Sequence, residues 1–424
     1  MGLRVSTELQ SRRAGLPHAV FLQRVADEPA TSPELRLGQG AFLTLRFVDL
    51  LAPDREPPTP DVFRYQWAAT ERYCAELSGE GTEASHLSCI VRAAGEAHRD
   101  GNIQLLAPAL FAYALYLEQE SHFDEAEDAL LTMISVGNKR LKESDEISSW
   151  MRLGRVRRLQ ADFDGAANAY AEAGRIAQRL GDKHSLLLSR VGSANVAYFR
   201  GNLQEAEREW HAILADAAAI GDRNVQAQAH HGLGNLLQRR GEAHSGAPEL
   251  WRAYELYEDE MDQVRVLNDL GIVLLSIGDV AGAERALSES LKRSQMGESQ
   301  LNPLIELMNC ASFRRDRLGF ERFREQCLVH LNAMAPNQRA DYHLKIGIGL
   351  ARFGNFAKAA TNIRQALEIA SAHNLHELAF RIERIMDGLH GCESPEQVEL
   401  ADVEPMLQSD ALKEVSASLA ALSP

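Results

Sequence analysis

The chain of 424 residues has few aromatic residues and an excess of acidic over basic ones. Aromatics make up only 6% of the residues, which favours packed helices over sheets, because strands are enriched in aromatic side chains. The formal net charge of −15 argues against a general nucleic-acid binder and against attachment to anionic lipid by charge. We therefore expect neither a nucleic-acid partner nor a membrane partner.

Cysteines are also scarce, and none of them stands in a C-x-x-C spacing. The five are Cys74, Cys89, Cys310, Cys327 and Cys392. An odd number without motif spacing is typical of a reducing compartment, where thiols act as small apolar packing groups. The sequence also lacks a run of about 20 apolar residues that could span a membrane and an N-terminal secretory signal. We therefore expect a cytoplasmic protein.

Signatures of catalysis and of metal binding are missing. The chain has no phosphate-binding loop, dinucleotide fingerprint, G-x-S-x-G or H-E-x-x-H sequence. His230 and His231 are adjacent and would point in different directions on a helix. His373 and His376 lie across a predicted helix junction without an acidic or cysteine partner at ligand spacing. We expect a non-enzymatic protein with no cofactor and no metal.

Prolines divide the chain into segments, since seven of the fourteen lie at or before Pro60. We predict an irregular N-terminal segment (1–33), a helix with a proline-rich connector (34–60) and a helical repeat region (61–391) that ends in a capping helix at 376–388. The remaining residues (392–424) carry seven acids and one lysine after Cys392. Such a tail is predicted to be mobile, with at most one short helix.

Small residues recur at fixed intervals in the middle of the chain. The first series, spaced 40 residues apart, is Ala114, Gly154, Ala194 and Gly234. The second, twelve residues after the first, is Ala126, Ala166, Ala206 and Gly246. Turn-forming pairs lie between the two series at Ser121-His122, Ala161-Asp162, Gly201-Asn202 and Gly241-Glu242. The register continues with a shorter step at Gly271 and Ala283, and again at Gly347 and Ala359. A period of this length indicates a solenoid of stacked repeats.

The small residues have a physical role in such a solenoid, because two antiparallel helices approach closely only where no large side chain separates them. Larger residues at equivalent places fill the surrounding space: Leu130, Tyr170, Trp210, Leu250 and Leu287. Each pair leaves an apolar face that the next pair covers, so the units must stack. Pro248 predicts either a late helix start near Ser245 or a kink in its helix. The pattern predicts an all-α fold of antiparallel helix pairs.

With these features the chain resembles the tetratricopeptide repeat family over about residues 61–391. The resemblance lies in Leu153-Gly154, Leu233-Gly234 and Leu270-Gly271, in Ala166, Ala206 and Ala283, and in the Gly201-Asn202-Leu203 and Gly278-Asp279-Val280 turns. The 40-residue period is similar to the family's long-helix form. The resemblance implies a right-handed superhelical solenoid with the first helix of each pair on its concave surface.

Family resemblance also implies where a ligand would bind. Contacting side chains stand about three residues before, one after and four after the small residue of each first helix. The candidates are Arg155, Arg158, Asn195, Tyr198, His231, Asn235, Gln238 and Asn268. Asn195 and Asn235 recur at one position in adjacent units, and amide side chains can both donate to and accept from a peptide backbone. Arg155 and Arg158 would recognise acidic groups.

These residues support a protein- or peptide-binding adaptor whose partner carries acidic groups. Two other functions remain open. One is a peptide-sensing signalling regulator that acts on a response protein, and the other is a scaffold that forms homo-oligomers.

Overall fold

The computed structural model describes residues 16–23, 32–53, 57–138, 140–294, 300–331, 334–373, 375–390, 392, 394 and 409–422. Within these ranges the chain forms twenty α-helices and no strand. It divides into two units, Met1–Arg200 and Gly201–Pro424. The all-α prediction is confirmed.

The first unit holds nine α-helices. They are α1 (Val20–Gln23), α2 (Pro33–Val48), α3 (Pro60–Glu76), α4 (Thr82–Asp100), α5 (Ala107–Gln119), α6 (Phe123–Gly137), α7 (Glu143–Leu159), α8 (Phe163–Leu180) and α9 (Lys183–Phe199). Two 3-10 turns, Asp49–Leu51 and Ile103–Leu106, follow α2 and α4. The first helices of the repeating pairs are α5, α7 and α9.

The second unit holds eleven α-helices among its described residues. They are α10 (Leu203–Ile220), α11 (Arg223–Arg239), α12 (Ala243–Leu256), α13 (Glu260–Ser276), α14 (Val280–Arg293), α15 (Leu301–Phe313), α16 (Arg317–Leu328), α17 (Pro336–Arg352), α18 (Phe356–Ala372), α19 (His376–His390) and α20 (Asp410–Leu422). Here the first helices are α11, α13, α15 and α17. The predicted capping helix is α19.

Each buried small residue of a first helix faces one large residue of the second helix, sixteen positions later. A methyl group at Gly154 would lie 2.9 Å from the Tyr170 ring, and one at Gly234 would lie 2.6 Å from Leu250 Cγ. The same spacing places Gly271 against Leu287, at 2.5 Å. Since real Cβ atoms do not approach other carbons this closely, any side chain would push the helices apart. The predicted register of small residues is confirmed.

Large residues of the second helices also pack against the next first helix. Tyr170 meets Gly192 of α9 as well as Gly154 of α7, since a methyl group at Gly192 would lie 2.3 Å from its ring. In the second unit Trp210 meets Gly232 in the same way, at 2.4 Å. One aromatic side chain thus fixes the distance within a pair and the distance to the following pair.

The turn within each helix pair places one residue in the left-handed region of backbone conformation. The φ angles there are 63° at Ser121, 60° at Ala161, 87° at Gly201 and 78° at Gly241. These positions match the predicted turns. Ser121 and Ala161 carry a Cβ in a conformation that costs an L-residue about 1–2 kcal/mol, so the first unit contains local strain at two of its turns.

A buried histidine fastens the N-terminal segment to the first unit. His18 Nδ1 lies 2.6 Å from Asp128 Oδ2 on α6, and its Nε2 lies 3.2 Å from Asp49 Oδ2. Phe21 of α1 is fully buried and stacks on Tyr113 with ring centroids 6.3 Å apart. Burial alone would lower the pKa of His18, but the hydrogen bonds and charges of the two aspartates raise it to about 9. His18 is therefore protonated at neutral pH.

The C-terminal helix α20 differs from the predicted mobile tail. Leu412, Val415 and Leu419 are buried in the core that α12 and α14 contribute to. The Ser416 hydroxyl donates to Asp279 Oδ2 at 3.0 Å, at the N-terminus of α14. The acid count of the whole tail obscured the i, i+3, i+7 spacing of these three apolar residues, which is that of an amphipathic helix. The one short helix that the prediction allowed is α20, and the mobility of the tail stays a prediction.

Helix α12 contains the proline that the sequence analysis singled out, Pro248. Helix α12 begins at Ala243, two residues before the late start proposed at Ser245, and continues through Pro248. Proline has no N–H, so residue 248 donates no helical hydrogen bond. Among the described residues, no helix is long and apolar enough to cross a membrane.

We predict that Gly234→Leu destabilises the protein by about 1–3 kcal/mol through overpacking. The new side chain would meet Leu250 and the carbonyl oxygen of Gly246, which lies 3.1 Å from the added methyl group. Denaturant unfolding measures the change. Gly388→Leu is the matched control, because this glycine of α19 is exposed with nothing within 4 Å. Equal stability of the two variants would contradict the packing register.

We predict that Ala161→Gly stabilises the protein by about 0.5–1 kcal/mol. Glycine removes the cost of a left-handed alanine but has a larger entropy in the unfolded chain. Ala161 is exposed, so no contact is lost. Ala171→Gly, at an exposed position within α8, is expected to destabilise by about 1 kcal/mol. Thermal unfolding of both variants provides the test, and a fall in midpoint for Ala161→Gly would refute the strain.

We predict that the stabilisation provided by His18 decreases as the pH rises from 6.5 to about 9. A pKa raised by folding stabilises the folded state fully below the unfolded value of about 6.5, and this contribution is lost as the pH passes the folded value. The free energy of unfolding should be compared between the native chain and His18→Gln across this range. Their difference is expected to shrink toward pH 9; a constant difference would contradict the ion-paired histidine.

Candidate functional site

The first-helix face is defined here as the side of the first helices that carries residues three before, one after and four after the small residue. In the first unit α7 carries a row of three arginines, in which Arg155 and Arg158 stand at two of these positions and Arg152 stands one residue from the third. Residues three apart lie on one side of a helix. The row therefore places three guanidinium groups along one surface, as predicted for Arg155 and Arg158.

One buried carboxylate lies beside this arginine row. Glu118 of α5 accepts a hydrogen bond from Arg155 Nε at 2.5 Å, and its side chain is 7% exposed. Its charge also acts on Arg152 and Arg158. Three cations sharing one carboxylate leave an excess of two positive charges, which attracts an anion.

Burial makes this excess charge costly. Burial lowers the pKa of Arg158, against the opposing effect of Tyr170, and burial together with the charge of Arg155 lowers the pKa of Arg152. Arg152 Nη1 and Arg158 Nε are buried and have no hydrogen-bond partner within the described residues. A bound carboxylate or phosphate would supply both the charge and the acceptors that these groups lack.

Aromatic residues of α9 border the arginine row. The Arg158 guanidinium carbon lies 4.5 Å from the centre of the Phe199 ring, a cation–π contact. Tyr198 packs edge-on against Phe199, with centroids 5.1 Å apart. The candidates Asn195 and Tyr198 are half-buried on this same helix. The structure thus brings Arg158 next to the aromatic end of α9.

In the second unit, two of the predicted residues, His231 and Asn235, take part in polar contacts around α11 and α13. His231 Nε2 lies 2.8 Å from Asp269 Oδ2, and Asn235 Nδ2 donates to the same oxygen at 3.2 Å. The Tyr257 hydroxyl lies 3.3 Å from His231 Nδ1. Asn268, the residue before Asp269, is buried with Oδ1 lacking a partner within the described part of the chain.

The charge state of this cluster follows from its hydrogen bonds. Burial would raise the pKa of Asp269, but the hydrogen bonds from His231 and Asn235 hold it below its usual value. The carboxylate of Asp269 accepts the hydrogen bond of Asn235 Nδ2 and lies within hydrogen-bond distance of His231 Nε2. Burial raises the pKa of Tyr257 to about 12, so its hydroxyl keeps its proton. Gln238 lies half-buried one turn beyond Asn235.

Sequence reasoning missed several members of these clusters. The predicted positions begin at Gly154 and so leave out Glu118, although Glu118 stands four residues after Ala114. Asp269 stands two residues before Gly271, a position that the rule does not include. The amide ladder of Asn195 and Asn235 stays a prediction, since Asn235 already uses one amide hydrogen on Asp269.

Comparison with known proteins finds relatives with similar repeats. No protein-family model matches the chain. A TPR repeat-containing protein of Pseudomonas aeruginosa is 30% identical over 135 residues, which cover 32% of this chain. The match covers 47% of that relative, so the chain spans about half of the relative's length.

Solved structures with the same fold show helical repeats of this kind. The apo quorum sensor NprR from B. thuringiensis has a TM-score of 0.51 at 10% identity, covering 86% of this chain and 99% of its own. The helix pairs are tetratricopeptide-like in fold. The Rap conjugation gene regulator of plasmid pLS20, solved with the Phr* peptide, has a TM-score of 0.51 at 12% identity and covers 84% of this chain and 98% of its own. At such identities the likeness to these two structures concerns the fold alone.

Proposed function

We propose that this tetratricopeptide-repeat chain is a non-enzymatic adaptor that captures an acidic peptide segment on the first-helix face of its first unit. The observation that carries the proposal is the arginine row of α7, in which Arg152, Arg155 and Arg158 share the single buried carboxylate of Glu118. A surface needed only for packing gains nothing from buried excess charge, because desolvating a cation costs free energy.

The spacing of the arginine row suits an extended peptide. Residues three apart on a helix are separated by about 4.5 Å along its axis, and successive residues of an extended chain advance by about 3.3 Å. Acidic groups on nearby residues of a bound segment can therefore reach Arg155 and Arg158 together. Phe199 holds the Arg158 guanidinium in place by a cation–π contact, which reduces the entropy lost on binding.

A signalling role is the second candidate. The structural neighbours that share the fold are described as a quorum sensor and as a gene regulator in complex with a peptide. These descriptions support peptide sensing as the way in which an adaptor of this fold would be used. We place the protein in the cytoplasm, since its cysteines are free and a reducing compartment keeps thiols in that state.

We predict that peptides selected on the immobilised full chain from a random phage-displayed library are enriched in aspartate and glutamate. Replacing Arg155 and Arg158 together by glutamine should weaken the best selected peptide by at least about tenfold, since hydrogen bonds to charged groups contribute about 1.5–3 kcal/mol each. Fluorescence anisotropy measures the affinity. Raising the salt concentration should weaken binding in the same direction.

The matched control is Arg175→Gln with Arg179→Gln on α8. These arginines are exposed and pair with Glu172 and Glu143. Their replacement removes the same charge from the second helix of the same pair, and binding should be unchanged. Peptides without acidic enrichment, or equal losses in both double variants, would rule out the arginine row as the capture surface.

A further inference from the structure

The outer side of α16, a second helix of the second unit, exposes apolar side chains to solvent. Leu318 is 85% exposed and Val329, the residue after the helix, is 80% exposed, more than any other large hydrophobic residue that the structure describes. Arg322, Glu325 and Val329 stand four, seven and eleven residues after Leu318, and all four are exposed. Residues at this spacing lie on one side of a helix. They are named here the α16 stripe.

Arginines surround the α16 stripe. Residues 314–325 contain five arginines and three acids, in a chain whose net charge is −15. Arg314 and Arg324 pair with glutamates at 2.8 Å and 2.7 Å. Arg317 and Arg322 are exposed on the helix itself. This basic surface within an acidic chain attracts acidic groups.

The connection between α19 and α20 has both of its ends beside α16. At one end, Cys392 packs against a core that includes Phe320 of α16. At the other end, α20 lies in a second core, and Phe323 of α16 packs against both cores. Residues 395–408 of the connection lie outside the described residues. Both ends of this segment are therefore anchored to cores that α16 shares.

The length of the connection is sufficient to follow α16. Residues 395–408 can span about 46 Å when extended, at about 3.3 Å per residue. Helix α16 has 12 residues and is about 18 Å long, at 1.5 Å per residue. The segment can therefore run along the whole α16 stripe between its two anchors.

The composition of this segment is complementary to the α16 stripe. Residues 395–408 contain four acids and no lysine or arginine. The acids are interleaved with large apolar residues, in the order Glu396, Val398, Glu399, Leu400, Asp402, Val403 and Glu404. A segment tethered beside its site has an effective concentration on the order of millimolar, so weak contacts are enough to hold it there.

We propose that residues 395–408 dock on the α16 stripe, with acidic side chains beside Arg317 and Arg322 and apolar side chains on Leu318 and Val329. Docking removes exposed apolar surface from water, and it replaces the mobility predicted for this part of the tail. The inference goes beyond the proposed function, since it concerns a second helix and does not use the arginine row of α7.

The experiment is limited proteolysis of the full chain with a glutamate-specific protease, followed by mass spectrometry. The measured quantity is the rate of cleavage after Glu399. In the native chain we expect this rate to be at least about fivefold below that of a free synthetic peptide of residues 390–410, because a docked segment must detach before it is cleaved. Leu318→Ser with Arg322→Ser should bring the rate close to that of the peptide. Both side chains are exposed, so the fold is expected to be retained.

The matched control is Arg179→Ser with Leu180→Ser on α8, a second helix of the first unit. These residues are of the same types and are 55% and 40% exposed, and the cleavage rate should equal that of the native chain. Three results would overturn the proposal: cleavage of the native chain at the rate of the free peptide, equal rates in the two double variants, or protection that is lost on dilution. The last result would assign the α16 stripe to the segment of a second copy.

Discussion

The fold depends on one steric constraint, the contact between a buried small residue of a first helix and the large residue sixteen positions later. At Gly154, Gly234 and Gly271 this contact leaves no room for a Cβ atom. Close approach at such a contact buries the facing surfaces of the two helices. Dispersion contacts at the density of a protein interior then stabilise the pair. Because Tyr170 meets Gly192 of the next pair as well as Gly154, the same side chain couples packing within a repeat to stacking between repeats.

Because the second helices provide this packing, the residues of the first-helix face do not need to contribute to it. The arginine row with Glu118 and the Asp269 cluster both lie there, and both contain buried charge that packing does not need. Buried ion pairs rarely add net stability over well-packed apolar residues. Stability alone therefore does not explain their presence on this face.

The sequence predicted the helix pairs and their register because the steric requirement at the small positions is strict and repeats. It predicted Arg155 and Arg158 as neighbours for the same reason, since the register fixes which residues share a face. It missed Asp269, because interhelical hydrogen bonds depend on the reach of side chains and not on the period. The docking of α20 escaped prediction because five acids in residues 393–404 dominated the charge count, although Leu412, Val415 and Leu419 have helical spacing.

The unit formed by α15 and α16 departs from the repeat. In the other units the small residue stands seven positions before the left-handed turn residue, as Gly271 does before Gly278; the turn residue here is Arg315, so this position holds Met308. Asn309 is the next residue, and it connects Glu306 to Arg352. A polar group at this depth is tolerable only when its hydrogen bonds are satisfied. The chain satisfies them with charged side chains from α15 and α17.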